Sequence, residues 1–198
     1  MATKLNYKIL QNSPDFDKPI TELEQYSTPV DIVSEIIKLA SAQGHLSGNV
    51  ADLGCGTGRL AIGAALLGTD ITAYEIDKNA LELARNYSKE HNLDIEWINL
   101  AIENIDKKYD TVLMNPPFGS QRPGADRAFL KKALEIGTNI WTIHMAETKV
   151  FVRDFVEKNN GKIVSAYEFD FPIKNTMIFH TKDVANQKAI LYHIASLR

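Results

Sequence analysis

The sequence predicts an α/β fold, in which helices cover a mostly parallel, doubly wound sheet of seven strands with an antiparallel edge strand. The first observation is an alternation between residues 49 and 161. Short apolar runs, typical of buried strands, alternate there with longer runs that are typical of helices. The second observation is that two more strand-like runs close the chain with no helix between them, which indicates antiparallel pairing.

Composition is consistent with one packed domain over residues 1–198, since 44% of the 198 residues are hydrophobic and 24% are charged. The one cysteine, Cys55, provides neither a disulfide nor a zinc-ligand set, and no metal site is expected. No apolar run has the length of a membrane span, and the N-terminus lacks the apolar core of a signal peptide. These features predict a cytoplasmic protein with no membrane partner.

The first predicted elements are an irregular N-terminal arm, residues 1–20, and a helix in STPVDIVSEIIKLASAQGH. Thr28 is predicted to cap this helix, Pro29 suits its first position, and Gly44 provides its end. Seven strands follow in NVADLG, DITAYEID, DIEWINLAI, YDTVLMN, NIWTIHM, KIVSAYEFDF and QKAILYHIAS. Helices are predicted in RLAIGAALLG, in DKNALELARNYSKEHN with Asp77 at its start, in ADRAFLKKALEIG, and in ETKVFVRDFVEKNNG with Gly161 at its end.

In a sheet of this kind, ligands bind beyond the carboxyl ends of the strands, where the strand order reverses. The segments that follow the predicted strands are residues 54–58, Glu75, residues 100–103, residues 115–118 and His144. We expect His144 to be buried and hydrogen-bonded rather than catalytic, and the other four segments to form a site.

The glycine loop, residues 54–58, joins the first strand of this alternation to a helix and reads G-x-G-x-G, preceded by Asp52. Its glycines permit positive φ and close approach of a ligand to the backbone. An acidic loop suits a cationic sulfonium with an amino-acid tail better than a pyrophosphate, and Asp52 can also order the loop through backbone amides. Glu75 ends the next strand, where an acid can bind both hydroxyls of a ribose. A tight turn without a ligand is the alternative.

This pattern resembles the S-adenosylmethionine site of the Rossmann-like methyltransferases. The resemblance implies that S-adenosyl-L-methionine is the cofactor and that it contacts the loop, Glu75 and the ends of later strands. The residues so assigned are Asp52, Gly54, Cys55, Gly56, Gly58, Glu75, Ala101, Ile102 and Asn115.

The stretch TVLMNPPFGS ends a buried strand in Asn115, Pro116, Pro117 and Phe118. An isolated Asn-Pro-Pro is usually only a loop. Behind a methyl-donor loop it is typical of enzymes that methylate exocyclic amines. The Asn115 carboxamide oxygen and the Pro116 carbonyl can accept two hydrogen bonds from the amino group. These bonds localise its lone pair, the prolines keep the acceptors rigid, and Phe118 can stack on the base.

A closer resemblance lies in LEQYSTP, ADLGCGTGRLAIGAALLG, YEIDKNALEL, YDTVLMNPPFGS, DRAFLKKALE and FDFPIKNTMIFHTKD. In this order they resemble the small methyltransferases that make N6-methyladenosine in small-subunit ribosomal RNA of archaea and eukaryotes, over residues 23–193. The family implies that Gln25, Tyr26 and Thr28 contact the cofactor. It also implies that RNA is held after Phe118, and that a small zinc-containing activator subunit binds a sheet edge in the eukaryotic members.

The chain departs from this family after its third strand, where many relatives carry Asp and this sequence has Ala101. Backbone groups of Ala101 and Ile102, or the side chain of Glu103, can form the hydrogen bond to the cofactor's adenine instead.

Charge is distributed unevenly along the chain, whose net charge is −3. Residues 1–118 carry 10 basic and 17 acidic side chains, whereas residues 119–198 carry 12 and 8. The asymmetry indicates an anionic partner, with a solvated face as the alternative. The predicted RNA-binding residues are Arg122, Arg127, Lys131, His180 and Lys182, and Lys132 belongs to the same basic run.

The leading functional hypothesis is therefore an RNA adenine-N6 methyltransferase. Protein glutamine-N5 methylation is the alternative, although enzymes of that kind usually carry Tyr after the two prolines and an N-terminal helical domain. DNA adenine methylation is disfavoured because there is no target-recognition domain. A scaffold without activity is disfavoured because Asp52, the glycine loop, Glu75 and residues 115–118 are all intact.

Overall fold

The structure is a computed structural model that describes residues 5–119, 121, 124–173 and 185–198. Its single seven-stranded sheet has the order β3-β2-β1-β4-β5-β7-β6. The strands are β1 (Asn49–Leu53), β2 (Asp70–Glu75), β3 (Glu96–Asn99), β4 (Tyr109–Met114), β5 (Gly137–Met145), β6 (Gly161–Ile173) and β7 (Ala185–Ser196). The pairs from β3 to β5 are parallel, and β7 lies antiparallel between β5 and β6. The predicted fold class is confirmed.

Six α-helices accompany the sheet in the described residues: α1 (Tyr7–Gln11), α2 (Val30–Ala42), α3 (Arg59–Ala65), α4 (Lys78–Glu90), α5 (Ala125–Ile136) and α6 (Lys149–Lys158). One hydrophobic cluster joins one face of the sheet to α1, α2 and α3, and a second joins the opposite face to α5 and α6. The chain runs from β1 outward to β3 and then returns to β4 beside β1. The carboxyl ends of β1 and β4 therefore form the switch point where a ligand is expected.

Helix boundaries agree with the sequence at two of the predicted signals. The Asp77 carboxylate accepts the backbone N–H of Asn79 at 2.9 Å, as the N-cap of α4. Gly44 follows α2 with a φ of 76°, the left-handed conformation that ends many helices.

Three local predictions are wrong. The arm is not irregular throughout, because α1 forms within it and buries Leu10 completely against α2 and α3. Thr28 does not cap α2, because its hydroxyl accepts a hydrogen bond from Asn115 instead. Gly161 does not end α6: Asn160 has the positive φ, and Gly161 starts β6. A Cβ at Gly161 would lie 2.8 Å from Leu134 and Val156, so close packing requires the glycine there.

His144 near the end of β5 is buried, and its Nε2 lies 3.1 Å from the Thr142 hydroxyl. This agrees with the prediction of a hydrogen-bonded core histidine. Burial lowers the pKa of His144 to about 4, against about 6.5 in an unfolded chain.

We expect this histidine to destabilise the fold in acid. Between pH 6.5 and 4 the unfolded chain binds a proton that the folded chain excludes, so the free energy of unfolding falls as pH falls. The contribution reaches about 3 kcal/mol by pH 4. Urea titrations between pH 4 and 8 give the free energy of unfolding of the wild type and of His144→Gln. The contribution of His144 is the difference between the two proteins in how this free energy depends on pH. Parallel curves for the two proteins would contradict the prediction.

No helix in the described parts of the chain is both long and apolar enough to cross a membrane.

Candidate active site

A cavity of about 340 Å³ lies at the carboxyl ends of β1, β2 and β4. That volume is within the range of small-molecule sites. Every residue predicted to contact the cofactor lines it except Gly58, namely Gln25, Tyr26, Thr28, Asp52, Gly54, Cys55, Gly56, Glu75, Ala101, Ile102 and Asn115. Glu103 also lines it. Gly58 lies behind the cavity, where a Cβ would meet the Trp97 ring at 2.4 Å.

The glycine loop passes between two aromatic rings from distant parts of the chain. Gly54 and Gly56 have φ values of 65° and 54°, which side chains rarely adopt. A Cβ on Gly54 would lie 2.7 Å from the Phe129 ring, and one on Gly56 would lie 2.6 Å from the Phe16 ring. The loop therefore requires glycine for both conformation and space.

The Asp52 side chain is buried beneath this loop, with 1% of its surface exposed. One carboxylate oxygen accepts the N–H of Ala61 at 3.0 Å, and the other accepts no hydrogen bond from the described residues. Burial raises the pKa of Asp52 to about 8, the Ala61 amide opposes this, and nearby Glu75 adds to it. Asp52 thus orders the first turn of α3 rather than the loop amides, and its second oxygen remains available to a cationic ligand.

Glu75 at the end of β2 is held by backbone amides. One oxygen accepts the Gly56 N–H at 2.8 Å, and the other accepts those of Ile76 and Asp77 at 2.9 Å. Burial raises the pKa of Glu75, and these three amides oppose the rise. The carboxylate lines the cavity with lone pairs to spare, which fits the hydroxyls of a ribose.

We expect Glu75→Ala to weaken S-adenosylmethionine binding by about 10- to 100-fold, the cost of losing hydrogen bonds to a charged group. The protein should remain folded, because the core packing of β2 is unchanged. Isothermal calorimetry measures the affinity, and circular dichroism checks the fold. Asp70→Ala, at the opposite, exposed end of β2, is the matched control. Unchanged affinity in a folded Glu75→Ala protein would remove Glu75 from the cofactor site.

Asn115 follows β4 beside the glycine loop, and its carboxamide is oriented by one contact. The amide nitrogen donates to the Thr28 hydroxyl at 2.9 Å. The amide oxygen is buried and accepts nothing from the part of the chain that the structure describes. Asn115 therefore lines the cavity with a fixed, unused acceptor.

Pro116 and Phe118, predicted to bind the target base, do not line this cavity. The Tyr26 hydroxyl donates to the Pro116 carbonyl at 3.5 Å. The Phe118 ring packs between those of Tyr26 and Phe171, with ring centroids 5.4 and 5.8 Å away. Phe118 is half-buried in this aromatic cluster, and stacking of a base on its exposed part stays a prediction. Pro117, in contrast, does line the cavity.

The N-terminal arm covers the glycine loop, which the sequence did not indicate. The Thr57 hydroxyl donates to the Pro14 carbonyl at 2.8 Å, and Arg59 donates to the Ser13 hydroxyl at 3.2 Å and the Thr28 carbonyl at 3.1 Å. Phe16 lines the cavity from this arm. Lone aromatic and polar residues in a polar arm carry no sequence signal for such contacts.

Basic residues on α5 divide into two kinds. Arg127 and Lys131 are exposed, and the Arg127 guanidinium lies 4.7 Å from the centroid of the Phe151 ring. Lys132 is buried, where its ammonium donates to the Ile105 carbonyl at 3.0 Å and pairs with Glu135. Lys132 therefore does not belong to a surface for RNA. The predicted RNA contacts Arg122, His180 and Lys182 lie outside the described residues.

A glycine loop at the switch point, an acid after the second strand and an antiparallel β7 together define a Rossmann-like methyltransferase that uses S-adenosylmethionine. The donor set fits this cofactor, because Asp52 has an unused buried oxygen and the glycine loop has no room for side chains. A model of the methyltransferase small domain matches residues 26–143.

Similar proteins agree with this class. An uncharacterized protein of Methanocaldococcus jannaschii is 38% identical over 192 residues, covering 90% of this chain and 87% of that protein. The rRNA N(6)-adenosine-methyltransferase METTL5 of Danio rerio is 33% identical, covering 87% of this chain and 88% of that protein. A crystal structure from Pyrococcus horikoshii superposes with a TM-score of 0.90 at 33% identity, covering 97% and 96% of the two chains. The chain belongs to the methyltransferase small domain family.

Proposed function

We propose that this enzyme transfers a methyl group from S-adenosylmethionine to N6 of an unpaired adenosine in RNA, and that small-subunit ribosomal RNA is its substrate. The observation that carries the proposal is the buried oxygen of Asn115, an acceptor without a partner in the described chain, on a residue that lines the cofactor cavity. The N–H of an exocyclic amine is a donor that such an acceptor can bind. The METTL5 relative, named for N6-adenosine methylation of rRNA, supports adenine in RNA as the target.

The main task of the protein in this reaction is to position the target amine against the methyl group. S-adenosylmethionine supplies an electrophilic methyl group on a positively charged sulfur. Asn115 accepts a hydrogen bond from the adenine amino group, which draws the nitrogen lone pair out of conjugation and directs it at the methyl carbon. The carbon–sulfur bond breaks as the carbon–nitrogen bond forms, and the excess proton leaves to solvent. Since no base must remove a proton before the attack, the neutral, buried His144 has no role in this step.

The test is to incubate the purified protein with methyl-labelled S-adenosylmethionine and, separately, ribosomal RNA, transfer RNA, DNA and total protein. We expect label in small-subunit ribosomal RNA as N6-methyladenosine, identified by mass spectrometry of digested RNA. Methylated glutamine in place of adenosine would support protein glutamine-N5 methylation and overturn the proposal. Label confined to large-subunit RNA would overturn only the choice of subunit.

We expect RNA affinity to depend on salt through the exposed basic residues Arg127 and Lys131, together with Arg122. Replacing all three by Ala should flatten the plot of log affinity against log salt by about 0.7 for each lost phosphate contact with a single strand. Fluorescence anisotropy with a labelled oligonucleotide measures the slope between 50 and 200 mM salt, a range over which three single-strand contacts change affinity by about 20-fold. Replacing Lys38 and Lys89 on α2 and α4 is the control. An unchanged slope would leave these basic residues as a solvated face.

Two further proposals concern a partner subunit of the enzyme and its location in the cell. A small zinc-containing activator subunit, implied by the family resemblance, would bind one of the two sheet edges, β3 or β6. Co-expression with such a subunit and gel filtration would test whether it binds. Cytoplasmic location stays a proposal from the composition.

A further inference from the structure

The catalytic loop, residues 115–118, is contacted along its length by one short segment, residues 24–28. Thr28 accepts from the Asn115 amide, and Tyr26 contacts the Pro116 carbonyl and the Phe118 ring. At the far end Glu24 binds the backbone. One oxygen of its carboxylate accepts the Phe118 N–H at 2.9 Å, and the other accepts the Gln121 N–H at 2.9 Å.

The Phe118 amide that Glu24 binds has a special position in the loop. Pro116 and Pro117 have no N–H, so Phe118 provides the first backbone donor after Asn115. The carboxylate therefore binds the loop at the first point where a hydrogen bond to its backbone N–H groups is possible. Because both prolines restrict the backbone between them, fixing Phe118 also limits where Asn115 can move.

The backbone of Glu24 is strained in order to reach the loop. Its φ and ψ are 51° and 42°, in the left-handed region, and its N–H donates to the Thr21 carbonyl at 2.9 Å. Among the non-glycine residues that the structure describes, only Asn92 and Asn160 share a positive φ. Asparagine tolerates this conformation far better than glutamate does.

We propose that Glu24 is a positioning residue for methyl transfer, whose carboxylate fixes the end of the catalytic loop that is farther from Thr28, so that Asn115 keeps its place in the cavity lining. This inference rests on the proposed role of Asn115 as the acceptor for the target amine. We assign Glu24 no direct contact with the reacting atoms, because both of its carboxylate oxygens bind loop amides.

Glu24→Gly separates positioning from stability. It removes both hydrogen bonds to the loop and also relieves the left-handed backbone, so the melting temperature should stay equal or rise. We expect kcat for methyl transfer to the RNA substrate to fall by up to about 100-fold, which is the effect of misplacing a reacting group by an ångström. Glu24 also lines the cofactor cavity, but both of its carboxylate oxygens bind loop amides, so the dissociation constant for S-adenosylmethionine should change by less than about 3-fold. Hydrogen exchange of the Phe118 amide should become faster.

Asn92→Gly relieves the same backbone conformation at the end of α4, far from the cavity, and should leave kcat unchanged. Glu24→Gln keeps one acceptor oxygen and should restore part of the lost kcat. If Glu24→Gly fails to fold, Glu24→Gln decides the matter through kcat and the exchange of the Phe118 amide.

A folded Glu24→Gly protein with wild-type kcat, or Glu24→Gln with wild-type kcat and wild-type exchange, would overturn the proposal. The assay uses whichever substrate the wild type methylates. If the wild type methylates a substrate other than adenosine, the proposed function is overturned. The positioning role of Glu24 is then decided by comparing kcat of the wild type and the Glu24 variants on that substrate.

Discussion

Asn115→Ala should abolish methyl transfer while leaving S-adenosylmethionine affinity nearly intact. The variant removes the fixed acceptor at the cavity wall, but it leaves Asp52, the glycine loop and Glu75 in place. The amino group of the target needs that acceptor most when its lone pair attacks the methyl carbon. The loss therefore belongs to the transition state rather than to binding of the cofactor. Loss of one preorganised hydrogen-bond partner costs about 10²- to 10³-fold in rate in other enzymes.

Single-turnover kinetics with labelled cofactor measure the rate, and calorimetry measures cofactor affinity in the same preparation. Asn159→Ala is a suitable control, because the Asn159 side chain also donates one hydrogen bond from its amide, to the Phe155 carbonyl at 2.7 Å, in a turn after α6. The control should transfer methyl groups at the wild-type rate. Robust transfer by Asn115→Ala would remove the residue from the reaction and with it the main support for an amine substrate.

Gly56→Val should eliminate detectable S-adenosylmethionine binding, for two independent physical reasons. A β-branched residue at a φ of 54° is strained. Its Cβ would also collide with the Phe16 ring, which lies 2.6 Å from that position. Displacement of the loop to relieve the strain would break the hydrogen bond from the Gly56 N–H to Glu75. We expect affinity to fall by more than about 100-fold, equivalent to about 3 kcal/mol.

Two comparisons separate the causes. Gly44→Val imposes the same kind of backbone strain, with a φ of 76°, at a position where a Cβ meets nothing within 4 Å, and it should bind the cofactor normally. Gly56→Ala with Phe16→Ala removes the collision and keeps the strain, so it should bind better than Gly56→Ala alone. Calorimetry and melting curves measure all of these proteins. Wild-type affinity in Gly56→Val would show that the loop does not approach the ligand.

Local sequence chemistry was sufficient for the seven strands, for the five helices α2 to α6 and for the segments of the site. The alternation of strands and helices depends on periodicity that each segment carries alone, and Asp77 caps its helix through an amide two residues away. The site could be predicted for the same reason. Once the sheet is parallel, the chain must place the ends of β1, β2 and β4 at one rim, so Asp52, Glu75 and Asn115 meet there.

Contacts between segments distant in the chain were decided only by the tertiary structure. Thr28 has the sequence pattern of a helix cap, yet its hydroxyl binds the Asn115 amide 87 residues away, because a buried amide without a partner costs more than an uncapped helix end. Phe16 closes over the glycine loop and Glu24 binds the catalytic loop 94 residues away, although neither lies in a periodic pattern. Phe118 packs on Tyr26 and Phe171 because aromatic rings gain by burial wherever the fold provides neighbours. The sequence alone determined which strand ends meet at the site, whereas the packing of residues 24–28 against them decided which hydrogen bonds orient Asn115 and the loop that follows it.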